Sequence, residues 1–404
     1  MEDSLQQDAQ YPNNKVKGCI LPWIHLHGDI RGKYALCCHT DGYEKKHART
    51  GSHDQSPLEV WNGSAMKDAR KKFLSGDYPE ECAVCYDKEA INSTSHRMIV
   101  NREFSKFSYL QNETLEDGSL DKPPVYLDFR FGNTCNFRCR MCGSDASTSW
   151  FKERHLGFGS KKDKPSLDFW TDNDKFWEDF KKIMPSIDTV YFAGGEPFVQ
   201  DGHYKLIELL LAEGKTDVTL QYNSNLSYNK FKDYDIKKIW SRFKRVQLWP
   251  SVDGFGERAE YGRKGLDFKT FTKNLTYFKK YVTSVSVVSN IYSITSIPQM
   301  IKYFKYIDVP FYITNLTWPG ILATNVLPKH IKQDILKQYR ELLETQKLND
   351  SEINNIKSIL NFMVATDNSH LQSDFKTYTH NLDISRSESF VSTFPEYAQW
   401  YNSI

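Results

Sequence analysis

The stretch Val125-Tyr-Leu-Asp-Phe-Arg-Phe131-Gly-Asn-Thr-Cys135-Asn-Phe-Arg-Cys139-Arg-Met-Cys142 decides how this chain is interpreted. Its first seven residues are apolar, aromatic or β-branched at most positions, which predicts a strand that ends near Gly132. Three cysteines then follow within eight residues. Thiolates at this spacing can converge on one metal centre from a single loop. The stretch therefore predicts a metal site just beyond the carboxyl end of a strand.

Six strand–helix units are predicted from residue 125 onward. Their strands are predicted at residues 125–131, 189–193, 218–222, 245–251, 282–289 and 311–314. Amphipathic helical patterns lie between them, as over residues 173–184. Alternating strands and helices predict a parallel sheet with right-handed crossovers. The fold class is therefore α/β, and six units favour a partial, TIM-like (β/α)6 barrel over a closed eightfold one.

The cysteines divide the chain, because all eight precede residue 143. We predict a small Cys-rich N-terminal domain over residues 1–110 and a linker over 111–124, which contains Asp-Gly and Pro-Pro pairs. The barrel is predicted over 125–325. Helical patterns at 329–347 and 351–364 predict a helical C-terminal extension over 326–404.

Composition excludes several classes of protein. The 404 residues carry 53 Lys and Arg against 51 Asp and Glu, so a net charge of +2 gives no signal for a nucleic-acid partner. No apolar run approaches the ~20 residues that span a bilayer. Residues 1–15 are polar, which does not predict a signal peptide. We therefore expect a cytoplasmic protein without a membrane partner, whose cysteines bind metal rather than form disulfides.

The chemistry of the cysteine triad depends on the number of ligands. A structural zinc site needs four, and after Cys142 the next histidine is His155. Three thiolates on a four-iron cluster leave one iron open to bind a substrate directly. A zinc knuckle, or three buried cysteines without a ligand, remains the alternative on spacing alone.

The triad resembles the signature of the radical SAM superfamily, Cys-x3-Cys-x-aromatic-Cys. The resemblance implies that Cys135, Cys139 and Cys142 bind a [4Fe–4S] cluster, and that S-adenosylmethionine (SAM) chelates its open iron. Met141 occupies the aromatic position, which is implied to pack near the adenine. Methionine is apolar and adaptable enough for that role.

Gly194-Gly195-Glu196 follows the second predicted strand. Two glycines permit close backbone approach to a ligand, and a carboxylate accepts hydrogen bonds from an ammonium group. The motif resembles the family's Gly-Gly-Glu, which holds the methionyl amine of SAM. Alone, such a string is usually a turn.

Polar residues also follow the third and fourth predicted strands. The family often has Asn-Gly after the third strand and Ser-x-Asp-Gly after the fourth, which here correspond to Asn225, Ser251 and Asp253, although Leu226 replaces the glycine. The resemblance assigns Ser251 and Asp253 to the SAM ribose or the substrate, and Arg263 to the SAM carboxylate. Strand-end caps and a surface arginine are the alternatives.

A second set of cysteines lies in the N-terminal region. Cys19, Cys37, Cys82 and Cys85 supply four ligands, and their spacing alone fits a zinc site well. The region resembles the twitch or SPASM-type module, which implies an auxiliary [4Fe–4S] cluster. The predicted module precedes the barrel, and this domain order resembles that of a group of radical SAM proteins, many of which are encoded by bacteriophages. Cys38 or the adjacent His39 could substitute as a ligand, although a structural role is commoner for such a histidine.

The resemblance implies an enzyme that reductively cleaves SAM to a 5′-deoxyadenosyl radical, which abstracts hydrogen from a substrate. It implies a reducing electron donor and, from the auxiliary module, a peptide or protein side chain as substrate. No residue is assigned to chemistry on that substrate. A radical SAM enzyme acting on a nucleotide or sugar, and a non-catalytic zinc or iron–sulfur scaffold, are the alternatives.

Overall fold

The computed structural model describes residues 18–40, 49–90, 94–159 and 167–404. Residues 1–15, which are not expected to be a signal peptide, lie outside this part. None of the helices in these ranges combines the length and the apolar composition needed to cross a bilayer.

The strands and helices are given in chain order. The strands are β1 (His25–Gly28), β2 (Lys33–Ala35), β3 (Arg49–Ser52), β4 (Tyr126–Phe129), β5 (Arg138–Cys139), β6 (Thr189–Phe192), β7 (Thr219–Ser224), β8 (Lys230–Phe231), β9 (Tyr234–Asp235), β10 (Arg245–Pro250), β11 (Arg263–Lys264), β12 (Val285–Ser289) and β13 (Phe311–Asn315). The helices are α1 (Leu21–Ile24), α2 (Pro57–Trp61), α3 (Ser64–Leu74), α4 (Ala83–Ala90), α5 (His96–Glu103), α6 (Asp174–Ile183), α7 (Asp201–Ala212), α8 (Ile236–Trp240), α9 (Glu257–Gly262), α10 (Phe268–Tyr277), α11 (Ile297–Tyr306), α12 (Lys329–Thr345), α13 (Asp350–Ala365), α14 (Gln372–Arg386), α15 (Phe390–Thr393) and α16 (Ala398–Ser403).

The chain forms two compact units. Among the described residues, the first comprises 18–40, 49–90, 94–131, 168–191 and 204–218, and the second comprises 132–159, 167, 192–203 and 219–404.

In the first unit the strand order is β6–β4–β1–β2–β3. Strand β1 runs parallel to β4, with His25 opposite Tyr126, and β2 is antiparallel to β1. One face of β4 is apolar: the Phe129 ring lies 4.6 Å from that of Phe176 on α6. The N-terminal region thus continues the sheet that the first barrel strand begins, which sequence periodicity did not reveal.

In the second unit the longer strands are parallel. Strand β10 pairs with β7, and β12 pairs with β13. Single parallel bridges join Leu248 to Val282 and Ser251 to Ser286. The C-terminal helices adjoin the last strand, since Ile313 N donates to Asn355 Oδ1 of α13 at 2.8 Å. The carboxyl ends of these strands therefore share one edge, as in the predicted barrel.

All six predicted strands and the helical character of residues 326–404 are confirmed, with strand ends displaced by at most three residues. The local signals are strong. Helix α6 begins at the capping Asn173, whose side chain accepts from Phe176 N, and it buries an apolar face as predicted. Helix α13 begins with a capping box formed by Asn349 and Glu352. The domain boundaries remain a prediction.

Residues 111–124, predicted as a linker, pack within the first unit. Leu120 is buried, and its carbonyl accepts from Asn62 Nδ2 at 3.0 Å. The carbonyl of Gly118 accepts from Arg70 Nη1 at 3.2 Å. The turn residues of this segment are visible in the local sequence and therefore predict a linker. Its packing partners lie about 50 residues earlier in the chain, so no local pattern reveals them.

Arg70 is a fully buried cation that satisfies several backbone carbonyls of the first unit. Its guanidinium donates to Pro22 O at 2.8 Å, Trp61 O at 2.9 Å and Gly118 O. It also donates to Asn62 Oδ1 at 3.0 Å and lies 4.5 Å from the Trp61 ring. One side chain therefore ties α1, α2 and the segment 111–124 together.

Arg70→Met should lower the free energy of unfolding by about 3 kcal/mol, because three buried carbonyls lose their donor. The measurement is the midpoint of chemical denaturation followed by tryptophan fluorescence. The control is Lys71→Met on the exposed side of the same helix, which should change stability by less than about 0.5 kcal/mol. Equal effects of the two changes would contradict the anchoring role of Arg70.

Candidate cluster and cofactor site

The loop that follows β4 carries Cys135, Cys139 and Cys142, and its backbone is held at several points. Cys139 lies in the short β5, opposite Arg263 of β11. The carbonyl of Cys139 accepts from Trp150 Nε1 at 3.0 Å and from Cys142 N at 3.0 Å. A turn-and-strand framework therefore fixes the three cysteines before any metal binds.

The three thiols are largely withdrawn from water. Burial raises the pKa of Cys135 to about 12, and the neighbouring Cys139 raises it further. Cys139 and Cys142 hydrogen-bond one another. This hydrogen bond lowers the pKa of Cys139 and raises that of Cys142. A bound cation would favour the thiolate form of Cys135 and Cys142, so the loop is suited to metal ligation.

The spacing of the sulfurs bears on which metal fits. Among the described residues, two groups of three possible ligands have donor atoms within 4.8 Å of one another, and this triad is not one of them. A tetrahedral zinc ion with Zn–S bonds of about 2.3 Å would need sulfurs about 3.8 Å apart. At least one pair of the triad's sulfurs is therefore farther apart than a preformed zinc site would hold them.

The Gly194-Gly195-Glu196 loop packs directly on the residue that precedes Cys135. Gly194 has φ +83°, a conformation that disfavours other residues. A Cβ on Gly195 would lie 2.2 Å from Thr134 O. Glu196 N donates to that same oxygen at 2.8 Å. The two glycines therefore permit a close approach between two loops that follow different strands.

Glu196 is buried, and its carboxylate is nearly satisfied. It accepts from Ser224 Oγ at 2.8 Å, Asn225 N at 2.7 Å and Phe198 N at 3.2 Å. Burial raises its pKa to about 7 despite these donors. A carboxylate has about four acceptor positions, so one remains for a ligand donor such as an amine.

Asn225 and Leu226 turn the chain at the end of β7. Leu226 has φ +57° at the position where the resembling family has glycine. This left-handed backbone conformation is stabilised by burial of Leu226 and by two hydrogen bonds. The Leu226 N–H donates to Ser224 Oγ, and its carbonyl accepts from Asn274 Nδ2. Asn225 Nδ2 donates to Asn136 Oδ1 at 2.9 Å and lies 4.0 Å from Cys135 Sγ. The end of β7 thus reaches the cysteine loop.

Arg263 and Asp253 form a buried ion pair. Arg263 Nε and Nη2 lie 2.8 and 2.7 Å from Asp253 Oδ2. Asp253 Oδ1 accepts from Val288 N at 2.7 Å. A cofactor carboxylate would therefore be bound through the Nη1 side of Arg263, or by displacing Asp253. Their predicted contacts with SAM stay predictions.

Two further predicted residues lie at the same edge. The backbone N–H of Ser251 donates to Ser224 O at 2.8 Å, and Ser251 is partly exposed. Met141 is partly exposed between the anchored Arg140 and Cys142. Both positions are compatible with cofactor contacts, which remain predictions.

Arg140, inside the cysteine loop, is a positioning residue that sequence reasoning missed. Its fully buried guanidinium donates to Asp383 Oδ1 at 2.5 Å, Glu388 Oε2 at 2.7 Å and Tyr261 O at 3.1 Å. It also lies 3.6 Å from the Tyr261 ring, and Tyr378 Oη donates to Arg140 O at 2.6 Å. No local signal could find this contact, because its carboxylates lie more than 240 residues away.

The same C-terminal helix makes a second contact with the cysteine loop. Glu153 Oε2 accepts from Arg386 Nε and Nη2 at 3.0 and 2.9 Å. Glu153 Oε1 accepts from Arg138 Nη1 at 2.7 Å. Helix α14 therefore holds the cysteine loop from two sides.

The N-terminal cysteines converge within the first unit. Cys19 precedes α1, and Cys37 lies in the turn after β2. Cys82 immediately precedes α4, and Cys85 lies in the first turn of that helix. Burial raises the pKa of Cys19 to about 12, with Cys85 adding to the rise. Burial also raises the pKa of Cys37, and both Cys19 and Cys82 contribute. Electrostatic interactions thus link Cys19 to each of the other three predicted ligands.

These four cysteines also differ from a preformed single-ion site. No three of them have sulfurs within 4.8 Å of one another. Cys38 and His39 belong to a different group, together with His96.

Glu196→Gln should flatten the pH dependence of stability between pH 4.5 and 7. Because burial raises the pKa of Glu196 from 4.5 to about 7, its protonated form stabilises the folded state at low pH, and this contribution is lost as the pH rises through 7. The apparent melting temperature should therefore fall more for the wild type than for the variant from pH 5 to pH 8. Glu178→Gln, on an exposed face of α6, should follow the wild type. Parallel curves for all three proteins would refute the shifted pKa.

Arg140→Lys should speed the loss of iron from the reconstituted protein to a chelator about tenfold, since a lysine cannot replace the guanidinium fork on two carboxylates. The measurement is the rate of absorbance loss from the cluster. Arg102→Lys, at an exposed position of α5, should leave the rate unchanged. If Arg140→Lys also leaves the rate unchanged, the C-terminal contacts do not hold the cluster loop.

Comparison with known proteins agrees with this geometry. Residues 129–298 match the Radical SAM superfamily, and residues 19–86 match the SPASM iron–sulfur cluster-binding domain. A 7-carboxy-7-deazaguanine synthase of Clostridium acetobutylicum is 25% identical over 129 residues, which cover 32% of this chain and 48% of that protein. The chain thus spans about half the length of this curated relative.

Two solved structures are similar to parts of the chain. One is anSMEcpe with bound S-adenosylmethionine and the Cp18Cys peptide, 17% identical, covering 55% of this chain and 61% of that one with a TM-score of 0.35. The other is Streptococcus suis SuiB bound to the precursor peptide SuiA, 12% identical, covering 67% of this chain and 61% of that one with a TM-score of 0.37.

The two domain matches confirm the family resemblance and, with it, the predicted cofactors: SAM and iron–sulfur clusters. They also confirm that the cluster-binding module precedes the barrel domain. The chain carries a Radical SAM domain over residues 129–298, preceded by a SPASM domain over residues 19–86.

Proposed function

We propose that this protein is an enzyme that reductively cleaves SAM and modifies a side chain of a peptide or protein. The observation that carries the proposal is the packing of the Gly194-Gly195-Glu196 loop on Thr134, the residue that directly precedes the cysteine triad. A three-cysteine loop alone would suit several metals. The buried carboxylate of Glu196 lies beside this loop and has one acceptor position left. The amine of a methionyl group that chelates iron requires such an acceptor.

When bound and reduced by an external donor, the cluster would supply the one electron that cleaves the C–S bond of SAM to methionine and the 5′-deoxyadenosyl radical. In this proposal, Cys135, Cys139 and Cys142 ligate three irons. Glu196 accepts a hydrogen bond from the methionyl amine, and the adjacent glycine backbone leaves room for it. Burial of Glu196 at 1% exposure excludes competing water from that contact.

Further residues would bind the rest of SAM. Arg263 neutralises the methionyl carboxylate, with Asp253 holding the guanidinium in place. Ser251 contacts the ribose, and Met141 packs near the adenine. Asn225 contributes by positioning, because its amide joins the end of β7 to Asn136 of the cysteine loop.

The N-terminal site would have a different task. Cys19, Cys37, Cys82 and Cys85 supply all four ligands of an auxiliary [4Fe–4S] cluster, so no iron is left open for a substrate. Such a cluster suits electron transfer, for example acceptance of an electron from a substrate radical. An external reducing donor must supply the first electron. Thiolate ligation of both clusters needs a reducing compartment, which supports a cytoplasmic location.

The SPASM domain supports a peptide or protein substrate, because auxiliary clusters of this type accompany peptide modification in the resembling family. A nucleotide-like substrate is the second candidate. It is favoured by the 25% identity, over 129 residues, to a relative named for a deazaguanine product. A non-catalytic metal scaffold is the third, and metal analysis separates it from both enzymes.

The test is anaerobic reconstitution with iron and sulfide, then reduction in the presence of SAM. We expect about eight irons per chain, as two four-iron clusters require, and formation of 5′-deoxyadenosine. Cys135→Ala should abolish the nucleoside, because the SAM-binding cluster loses a ligand. Cys82→Ala should remove about four irons and leave SAM cleavage largely intact.

Two results would refute this assignment. Zinc without iron in the anaerobically purified protein would favour the scaffold. Nucleoside formation by Cys135→Ala at the wild-type rate would show that the triad does not bind the reactive cluster.

A further inference from the structure

Cys38 is the one cysteine of eight that neither predicted cluster uses. Its sulfur and ring nitrogens of His39 and His96 all lie within 4.8 Å of one another. The two imidazole rings are 4.6 Å apart, centroid to centroid, at an angle of 36°. The three side chains are half-buried, so an ion could enter from solvent. This group lies beside the auxiliary-cluster ligands but does not include them.

The backbone places the first two of these residues in a tight turn. Thr40 N donates to Cys37 O at 3.0 Å, which makes Cys38 and His39 the central residues of the turn. Thr40 Oγ1 donates to the same carbonyl at 2.8 Å, and Thr40 is 1% exposed. The turn therefore presents both side chains from a fixed backbone.

The third residue comes from a separate, equally fixed element. His96 is the first residue of α5, whose cap Ser95 is buried and accepts from Met98 N at 3.1 Å. Ser95 and Arg97 both hydrogen-bond to Glu89 of α4. Cys38 and His96, which are 58 positions apart in the chain, are thus held close together by the turn and by the capped start of α5.

We propose that Cys38, His39 and His96 bind a single divalent ion of the zinc class. One thiolate and two imidazoles are the borderline ligands that zinc prefers. Bond lengths of about 2.0 to 2.3 Å require donor atoms about 3.3 to 3.8 Å apart, which small side-chain rotations achieve from the observed spacing. The three ligands leave one tetrahedral position for water or another donor.

The other compact group of possible ligands in the described ranges is less suited to a metal ion. It comprises His25, His27 and Asp128, all buried. Arg130 lies on both carboxylate oxygens of Asp128, at 2.8 and 3.2 Å. That carboxylate already has a cation bound directly to it.

The test uses the protein with both clusters reconstituted, incubated with zinc and passed through a desalting column. We expect about one zinc per chain, and zinc K-edge absorption should show one sulfur and at least two nitrogens. His96→Gln and Cys38→Ser should each lose this zinc while the iron content stays unchanged. His330→Gln, on the exposed face of α12, should keep it.

The possible failures are distinct. Zinc retained by His96→Gln, or a shell of four sulfurs, would place the ion among the four N-terminal cysteines and overturn the proposal. Loss of iron in Cys38→Ser would make Cys38 a cluster ligand instead. His96→Gln alone decides the question if Cys38→Ser does not fold. These outcomes leave the proposed SAM chemistry untouched, since no SAM-site residue is changed.

Discussion

The buried carboxylate of Glu196 joins three parts of the candidate site. It accepts from the end of β7 through Ser224 and Asn225, and from its own loop through Phe198 N. Asn225 then reaches Asn136 in the cysteine loop. A buried carboxylate without hydrogen-bond donors is energetically costly. The end of β7 and the Glu196 loop must therefore pack together in the folded protein. The site is organised by this requirement before any cofactor binds.

Arg140 imposes a similar requirement on the C-terminal extension. A buried guanidinium needs acceptors, and Asp383, Glu388 and Tyr261 O provide them. Removing any of these leaves a charge in a medium that solvates it poorly. Helix α14 is therefore part of the cluster site rather than an appendage. Folding of the last residues and fixation of the cysteine loop are coupled.

The N-terminal region is integrated with the sheet in a comparable way. Strand β1 pairs in parallel with β4, so that His27 lies opposite Asp128. Asp128 is buried and bound by Arg130, and its carboxylate lies 3.0 Å from His27 Nδ1. The auxiliary cysteines are consequently carried by loops and helices anchored to the same sheet that begins the barrel. A module that looks separate in composition is structurally continuous within the first unit.

The sequence by itself determined the six barrel strands, the helical C-terminal region, the cysteine triad and the Gly-Gly-Glu loop, because periodicity and short spacings are local properties. It also predicted the auxiliary cysteine set. The packed state of residues 111–124, the pairing of Arg263 with Asp253, the anchoring of Arg140 and the meeting of Cys38 and His39 with His96 were decided by tertiary structure. Each depends on partners up to 248 residues apart, whose proximity follows from burial and charge pairing that no local pattern encodes.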